Sequence, residues 1–83
     1  PTIDVPLLKP KVRRLINVHR NVPGVLGEVN SIVSELGVNI QAQYLATHAE
    51  VGYLVVDLES PKTAEKVAQQ VAALKTSLRT RLI

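Results

Sequence analysis

The 83-residue chain contains no cysteine, methionine, phenylalanine or tryptophan. Without cysteine it can form no disulfide and carry out no thiol chemistry, which suits a reducing compartment and a cytoplasmic location. It has no secretory signal pattern and no apolar run of 18 residues, so nothing here is expected to span or enter a membrane. The four glycines stand singly at 24, 27, 37 and 52, which excludes a Gly-rich dinucleotide or phosphate loop. His19 and His48 are the only histidines, and the carboxylates are scattered, so no metal-ligand spacing appears. Self-contained catalysis is therefore not expected, and neither a metal nor a cofactor is expected in this stretch. A start at Pro1 and the lack of methionine suggest a domain excised from, or processed out of, something longer.

What is present is aliphatic. Hydrophobic residues make up 46% of the chain, yet its only aromatics are Tyr44 and Tyr53. A single small core of Val, Leu, Ile and Ala follows, suited to close packing of helix on sheet. Ten Lys and Arg against seven Asp and Glu give a net charge of +3. The basic residues gather towards the ends, at Lys9, Lys11, Arg13 and Arg14 and again at Lys75, Arg79 and Arg81. That excess is too mild to mark a nucleic-acid footprint.

In chain order, residues 1–11 hold three of the five prolines and read as a lead-in or linker, with Val5, Leu7 and Leu8 free to pack on a neighbour. The domain proper is expected over 12–83. Val12 to His19 reads as a first strand, with Ile16 and Val18 on one side and Leu15, Asn17 and His19 on the other. From Pro23 the period changes. Val25, Leu26, Val29, Ile32, Val33 and Leu36 form a helical apolar stripe that Gly37 terminates. Ile40 to His48 alternates as a second strand, with Ile40, Ala42, Tyr44 and Ala46 on one side. Ala49 to Gly52 reads as a hairpin connection, and Tyr53 to Leu58 as a third strand burying Leu54, Val56 and Leu58. Ser60 and Pro61 then cap and open a second helix, whose stripe is Ala64, Val67, Ala68, Val71, Ala72 and Leu74. Leu78 to Leu82 closes the chain as a strand with Arg79 and Arg81 on its open side. The order βαββαβ, with right-handed crossovers, implies an α+β ferredoxin-like sandwich. Its four-stranded antiparallel sheet runs 4-1-3-2, with both helices on one face and strand two at an edge. The RNA-recognition motif shares this layout but stacks bases on central-strand aromatics. Here the first strand has none and the third only Tyr53, so no nucleic-acid partner is expected.

The chemistry gathers at His19-Arg20-Asn21-Val22-Pro23-Gly24-Val25-Leu26. Pro23 suits a first helical turn, and Gly24 leaves the backbone open to close approach. The first amides of the helix favour a carboxylate or phosphate, with His19 and Asn21 just ahead of them. Either a small anionic ligand binds here, or this is a solvated strand-to-helix turn. Asn39, after Gly37-Val38, either caps its turn or reaches a neighbouring subunit. His48 reads as exposed, and Tyr44 and Tyr53 as packed on the sheet or at an interface.

His19-x-Asn21-x-Pro23-Gly24-Val25-Leu26, Gly37-Val38-Asn39-Ile40, Gln43-Tyr44-Leu45 and Gly52-Tyr53-Leu54-Val55-Val56-Asp57 together resemble an ACT domain. More narrowly, they resemble the C-terminal serine-sensing ACT domains of bacterial feedback-inhibited phosphoglycerate dehydrogenases, over residues 12–83. Pro-Gly-Val-Leu is common among ACT domains, whereas His-x-Asn before it and Gly-Val-Asn-Ile after the helix are more specific. The resemblance implies a homodimer joined through edge strand 2 and helix 1, and L-serine held at the interface. The ligand contacts would be His19, Asn21 and the partner's Asn39, supported by the loop and helix start at Val22, Pro23, Gly24, Val25 and Leu26. The ligand's carboxylate would face the helix start and His19, and its ammonium the Asn carbonyls. It also implies attached catalytic domains that use NAD to oxidise 3-phosphoglycerate and that serine slows. Val22 is less polar than the residue some relatives carry.

Overall fold

The computed structural model describes residues 11–83. The lead-in read at residues 1–11, with Val5, Leu7 and Leu8, lies outside the described residues except for Lys11. The elements are β1 (Arg13–Arg20), α1 (Val25–Glu35), β2 (Ile40–His48), β3 (Val51–Leu58), α2 (Pro61–Ala72) and β4 (Ser77–Leu82). They form one antiparallel sheet in the order β2-β3-β1-β4, as the βαββαβ reading requires.

Alternation along the central strands decides what is buried. Leu15 on β1 and Leu54, Val56 and Leu58 on β3 are fully buried on one sheet face. They pack with Val29 and Val33 of α1 and with Ala64, Val67 and Val71 of α2. Both helices therefore cover that face, and these nine side chains form one aliphatic core. The opposite face carries Ile16, Val18, Tyr44, Tyr53 and Val55. Across it, Arg14 lies directly opposite Asp57 and grips it with Nε and a terminal nitrogen at 2.8 and 2.9 Å. That fork-on-fork pairing raises the Arg14 pKa above its ordinary value.

Several local expectations change. Helix α1 starts at Val25, not Pro23, because Gly24 takes a left-handed φ of 93° in the cap position. No atom lies within 4 Å of where a Gly24 side chain would begin, so backbone conformation alone calls for glycine there. Gly37, at φ 70°, closes the same helix as expected. A bulge between Ile40 and Ala42 turns Ile40 onto the helix-covered face, where it joins the core, while Ala42 stays opposite Asp57 on the other. The hairpin is only Ala49-Glu50, since His48 pairs with Val51; Ala49 makes the turn with a φ of 53°, and Gly52 belongs to β3. Ser60 does flank α2, but its hydroxyl bonds the Thr63 hydroxyl at 3.2 Å and caps no backbone amide. Ala72 is exposed: at 100° per residue it sits roughly 80° around α2 from Ala64, at the rim of the stripe. Strand β4 gains Ser77, which pairs with His19 beyond an irregularity after Val18.

No helix among the described residues is long and apolar enough to cross a membrane.

Candidate functional site

The end of β1 brings His19 onto the helix-covered face, two residues on from Asn17 and four from Leu15. Both polar side chains are buried, at 4% and 1% exposure, deeper than their loop-adjacent position suggests. His19 Nδ1 lies 3.0 Å from Asn17 Oδ1. The Asn17 amide nitrogen in turn donates to Ser77 Oγ at 3.1 Å, Thr80 Oγ1 at 2.9 Å and the Arg79 carbonyl at 3.4 Å. Ser77 passes its own proton to the Val71 carbonyl at 2.6 Å. A polar chain thus runs from the end of α2, across β4, to the His19 ring. Desolvation holds the imidazole below its ordinary pKa of 6.5.

Gly52 faces that ring from β3, with its Cα directly opposite His19 in the ladder. A side chain at Gly52 would begin 2.3 Å from His19 Nε2. Glycine here makes room for a ring. It does not shape the turn.

Asn21 is exposed but tied down. Its backbone N–H donates to the Glu50 carbonyl at 2.8 Å, and its side-chain nitrogen to the Ala49 carbonyl at 3.1 Å. A carbonyl only accepts, so the amide nitrogen faces the hairpin and Oδ1 remains available as an acceptor. Val22, Pro23 and Gly24 are exposed beyond it, whereas Val25 is buried and Leu26 half-buried. No side chain caps α1, and the Gly24 carbonyl takes the Glu28 N–H. On the hairpin side of this loop, Arg20, Asn21, Val22, Ala49, Glu50, Val51 and Leu78 line a shallow cleft of about 520 Å³.

Asn39 is not part of this group. It is exposed, and its carbonyl accepts the Glu59 N–H at 3.0 Å. Ile40 pairs with Leu58, whereas Thr47 and His19 both pair with Gly52. Asn39 therefore lies at the other end of the sheet, on the order of 20 Å away at the usual rise per strand residue. His19 points into the helix-covered face and Asn21 is held against the hairpin two residues further on, and Asn39 lies apart from both. Sequence reading did not single out Asn17. The available signal was β1's own alternation, which puts Asn17 and His19 on the face of buried Leu15.

These elements make a two-layer α+β sandwich with an exposed, tethered strand-to-helix loop. The chain belongs to the AHAS small subunit-like ACT domain family, whose pattern matches residues 15–79. It is 49% identical over 72 residues to the D-3-phosphoglycerate dehydrogenase of Escherichia coli strain K12, covering 86% of this chain and 18% of that protein. It is 35% identical over 83 residues to the D-3-phosphoglycerate dehydrogenase of Dictyostelium discoideum, covering 100% of this chain and 19% of that one. The chain thus spans under a fifth of these relatives' length. The crystal structure of the ACT domain from the GTP pyrophosphokinase of Chlorobium tepidum shares the fold, with a TM-score of 0.74 at 8% identity over 87% of this chain and 96% of that one.

Proposed function

We propose that this domain is the serine-sensing part of a phosphoglycerate dehydrogenase, binding L-serine between two copies of itself and so slowing distant catalytic domains. The observation that carries the reading is the placement of the candidate residues at opposite ends of α1. Helix α1 has 11 residues and is roughly 16 Å long. The Asn21–Gly24 loop precedes it and Gly37–Asn39 follows it. Apposing two copies about a two-fold axis with α1 and the β2 edge antiparallel sets the partner's Asn39 beside the loop of the first. Two equivalent half-sites then form, each incomplete alone, and ligand tightens the dimer. The uncapped amides at the start of α1 suit the ligand's carboxylate. Asn21 Oδ1, free because its nitrogen is held by Ala49, suits the ammonium.

The parent enzyme would use NAD to oxidise 3-phosphoglycerate in the cytoplasm. Closing this interface would bias a hinge to its catalytic part, and inhibition is then a coupling free energy between two sites. The high identity to proteins of that name supports this placement.

Titration calorimetry with L-serine, glycine and D-serine, run beside sedimentation, tests the reading. Stereoselective binding of one serine per chain with a tightened dimer is expected. Asn21→Ala or Asn39→Ala should each weaken binding by about 1–3 kcal/mol, the usual loss when one partner leaves a buried polar contact, with the melting curve nearly unchanged. A flat titration with a stable dimer would reduce the domain to an oligomerisation module. Tighter binding of glycine would reassign the effector.

A further inference from the structure

We propose that Asn17 is a positioning residue that fixes which nitrogen of His19 carries the proton, so that a ligand meets His19 through its ammonium or hydroxyl and not through its carboxylate. The ligand half of this rests on the reading above; the tautomer half does not.

The direction of each hydrogen bond follows from what its partner can do. The Val71 carbonyl only accepts, so the Ser77 hydroxyl spends its one proton there, at 2.6 Å. Ser77 Oγ can then only accept from Asn17, so the Asn17 atom facing it at 3.1 Å is the amide nitrogen. The Arg79 carbonyl, on the same nitrogen, demands the same orientation. Asn17 Oδ1 is left facing His19 Nδ1 at 3.0 Å, and a carbonyl oxygen can only accept. The proton of neutral His19 is therefore on Nδ1, and Nε2 bears a lone pair.

Among the described residues Nε2 takes no hydrogen bond. Neither is it sealed off, since among the described residues the one buried side-chain polar atom without a partner is Thr76 Oγ1. Nε2 is the ring's open position, and it is an acceptor. A carboxylate set against it would meet lone pair with lone pair unless the ring took up a second proton. The ring is flanked by Asn17 on its own strand, Gly52 on β3 and Ser77 on β4, none of them charged. The charged side chains of the same corner, Arg20, Glu50 and Lys75, are exposed to solvent. Among the described residues nothing compensates an imidazolium there, and burial opposes it. An N–H or O–H of a hydroxy amino acid satisfies Nε2 with no change of protonation.

Long-range proton–nitrogen correlation spectra of the labelled protein at pH 8, without ligand, read the tautomer directly. A protonated Nδ1 and a bare Nε2 at His19 are expected; the reverse pattern overturns the proposal. Asn17→Leu should release the ring to a mixture of tautomers, while Asn17→Asp, which keeps an acceptor at Nδ1 and adds a charge beside it, should keep the proton on Nδ1 and make a second protonation of the ring easier. If Asn17→Leu does not fold, Asn17→Asp together with the wild-type spectrum still decides. Calorimetry with L-serine at pH 7.5 in phosphate and in Tris supplies the second readout. Equal enthalpies in the two buffers, meaning no net proton exchange, are expected. Uptake of close to one proton per site would place a carboxylate on an imidazolium and refute the ligand assignment. Absence of serine heat would refute the proposed function and that assignment together, while the spectra judge the tautomer independently.

Discussion

Gly52→Ala is the substitution whose effect the geometry specifies most tightly. The added methyl would sit 2.3 Å from Nε2, 2.8 Å from Cε1 and 2.9 Å from Cδ2 of His19. Heavy atoms in comfortable contact stand about 3.5–4.0 Å apart, so the overlap is roughly 1 Å across the width of the ring. The ring must tilt away and loosen its bond to Asn17, or strands β1 and β3 must shift. Overpacking of this kind costs about 1–3 kcal/mol. Against that, Gly52 has no left-handed φ, so alanine fits its backbone and recovers about 0.4–1 kcal/mol of chain entropy. A net loss of about 1–2 kcal/mol is expected. In a His19→Ala background the same change meets no ring and should be neutral or slightly stabilising. Urea unfolding of the four proteins closes a double-mutant cycle, with an expected coupling of about 1–3 kcal/mol. An equal cost of Gly52→Ala in both backgrounds would show that the strand, and not the imidazole, demands glycine. The His19 ring would then not be what requires glycine at position 52.

Other outcomes follow from the same structure. Leu54→Ala removes a fully buried side chain from the centre of the core and should lower unfolding free energy by about 2–5 kcal/mol, measured by urea denaturation. Asp57→Asn deprives a forked, largely covered Arg14 contact of its charge and should cost about 1–3 kcal/mol; a melting temperature unchanged to within a degree would argue that the pair is idle. Because burial depresses the His19 pKa below 6.5, the unfolded chain binds more protons between the folded pKa and 6.5. The His19 contribution is therefore complete above pH 6.5, declines as pH falls through that window and levels off below the folded pKa. Thermal melts from pH 8 to 5 should show this decline at no more than about 1.4 kcal/mol per pH unit, and His19→Gln should remove that component.

The architecture was legible wherever period and punctuation agree. Val25 to Leu36 repeats at the helical interval and stops at Gly37, and Ala42 to His48 pairs in unbroken register with β3. The errors cluster where one residue type serves two purposes. Gly52 reads as a turn residue because turns use glycine, yet the turn is made by Ala49, and Gly52 is small for the sake of a ring 33 positions earlier in the chain. Pro23 reads as a helix opener, but the left-handed Gly24 after it delays the first turn to Val25. Ile40 falls in phase with Ala42 on paper, and a bulge, which alternation cannot foresee, separates them. The candidate loop of His19 and Asn21 stands out in sequence because its polar residues interrupt two apolar segments. The Asn17–Ser77–Val71 relay was not visible, since its members are separated by 60 and 6 positions and meet only through the β1–β4 pairing.

The two borders of the sheet differ in what they would do to an approaching copy. The β2 border, Ile40 to His48, has no lysine, arginine or carboxylate along its length. The β4 border carries exposed Arg79 and Arg81. Two β4 strands laid antiparallel about Thr80 would set Arg79 of each copy against Arg81 of the other, and like charges directly opposed on a ladder repel. Strand addition is thus open along one border and resisted along the other. Were two copies joined through β2 as proposed, the combined sheet would present only its charged β4 borders, and growth would stop at two.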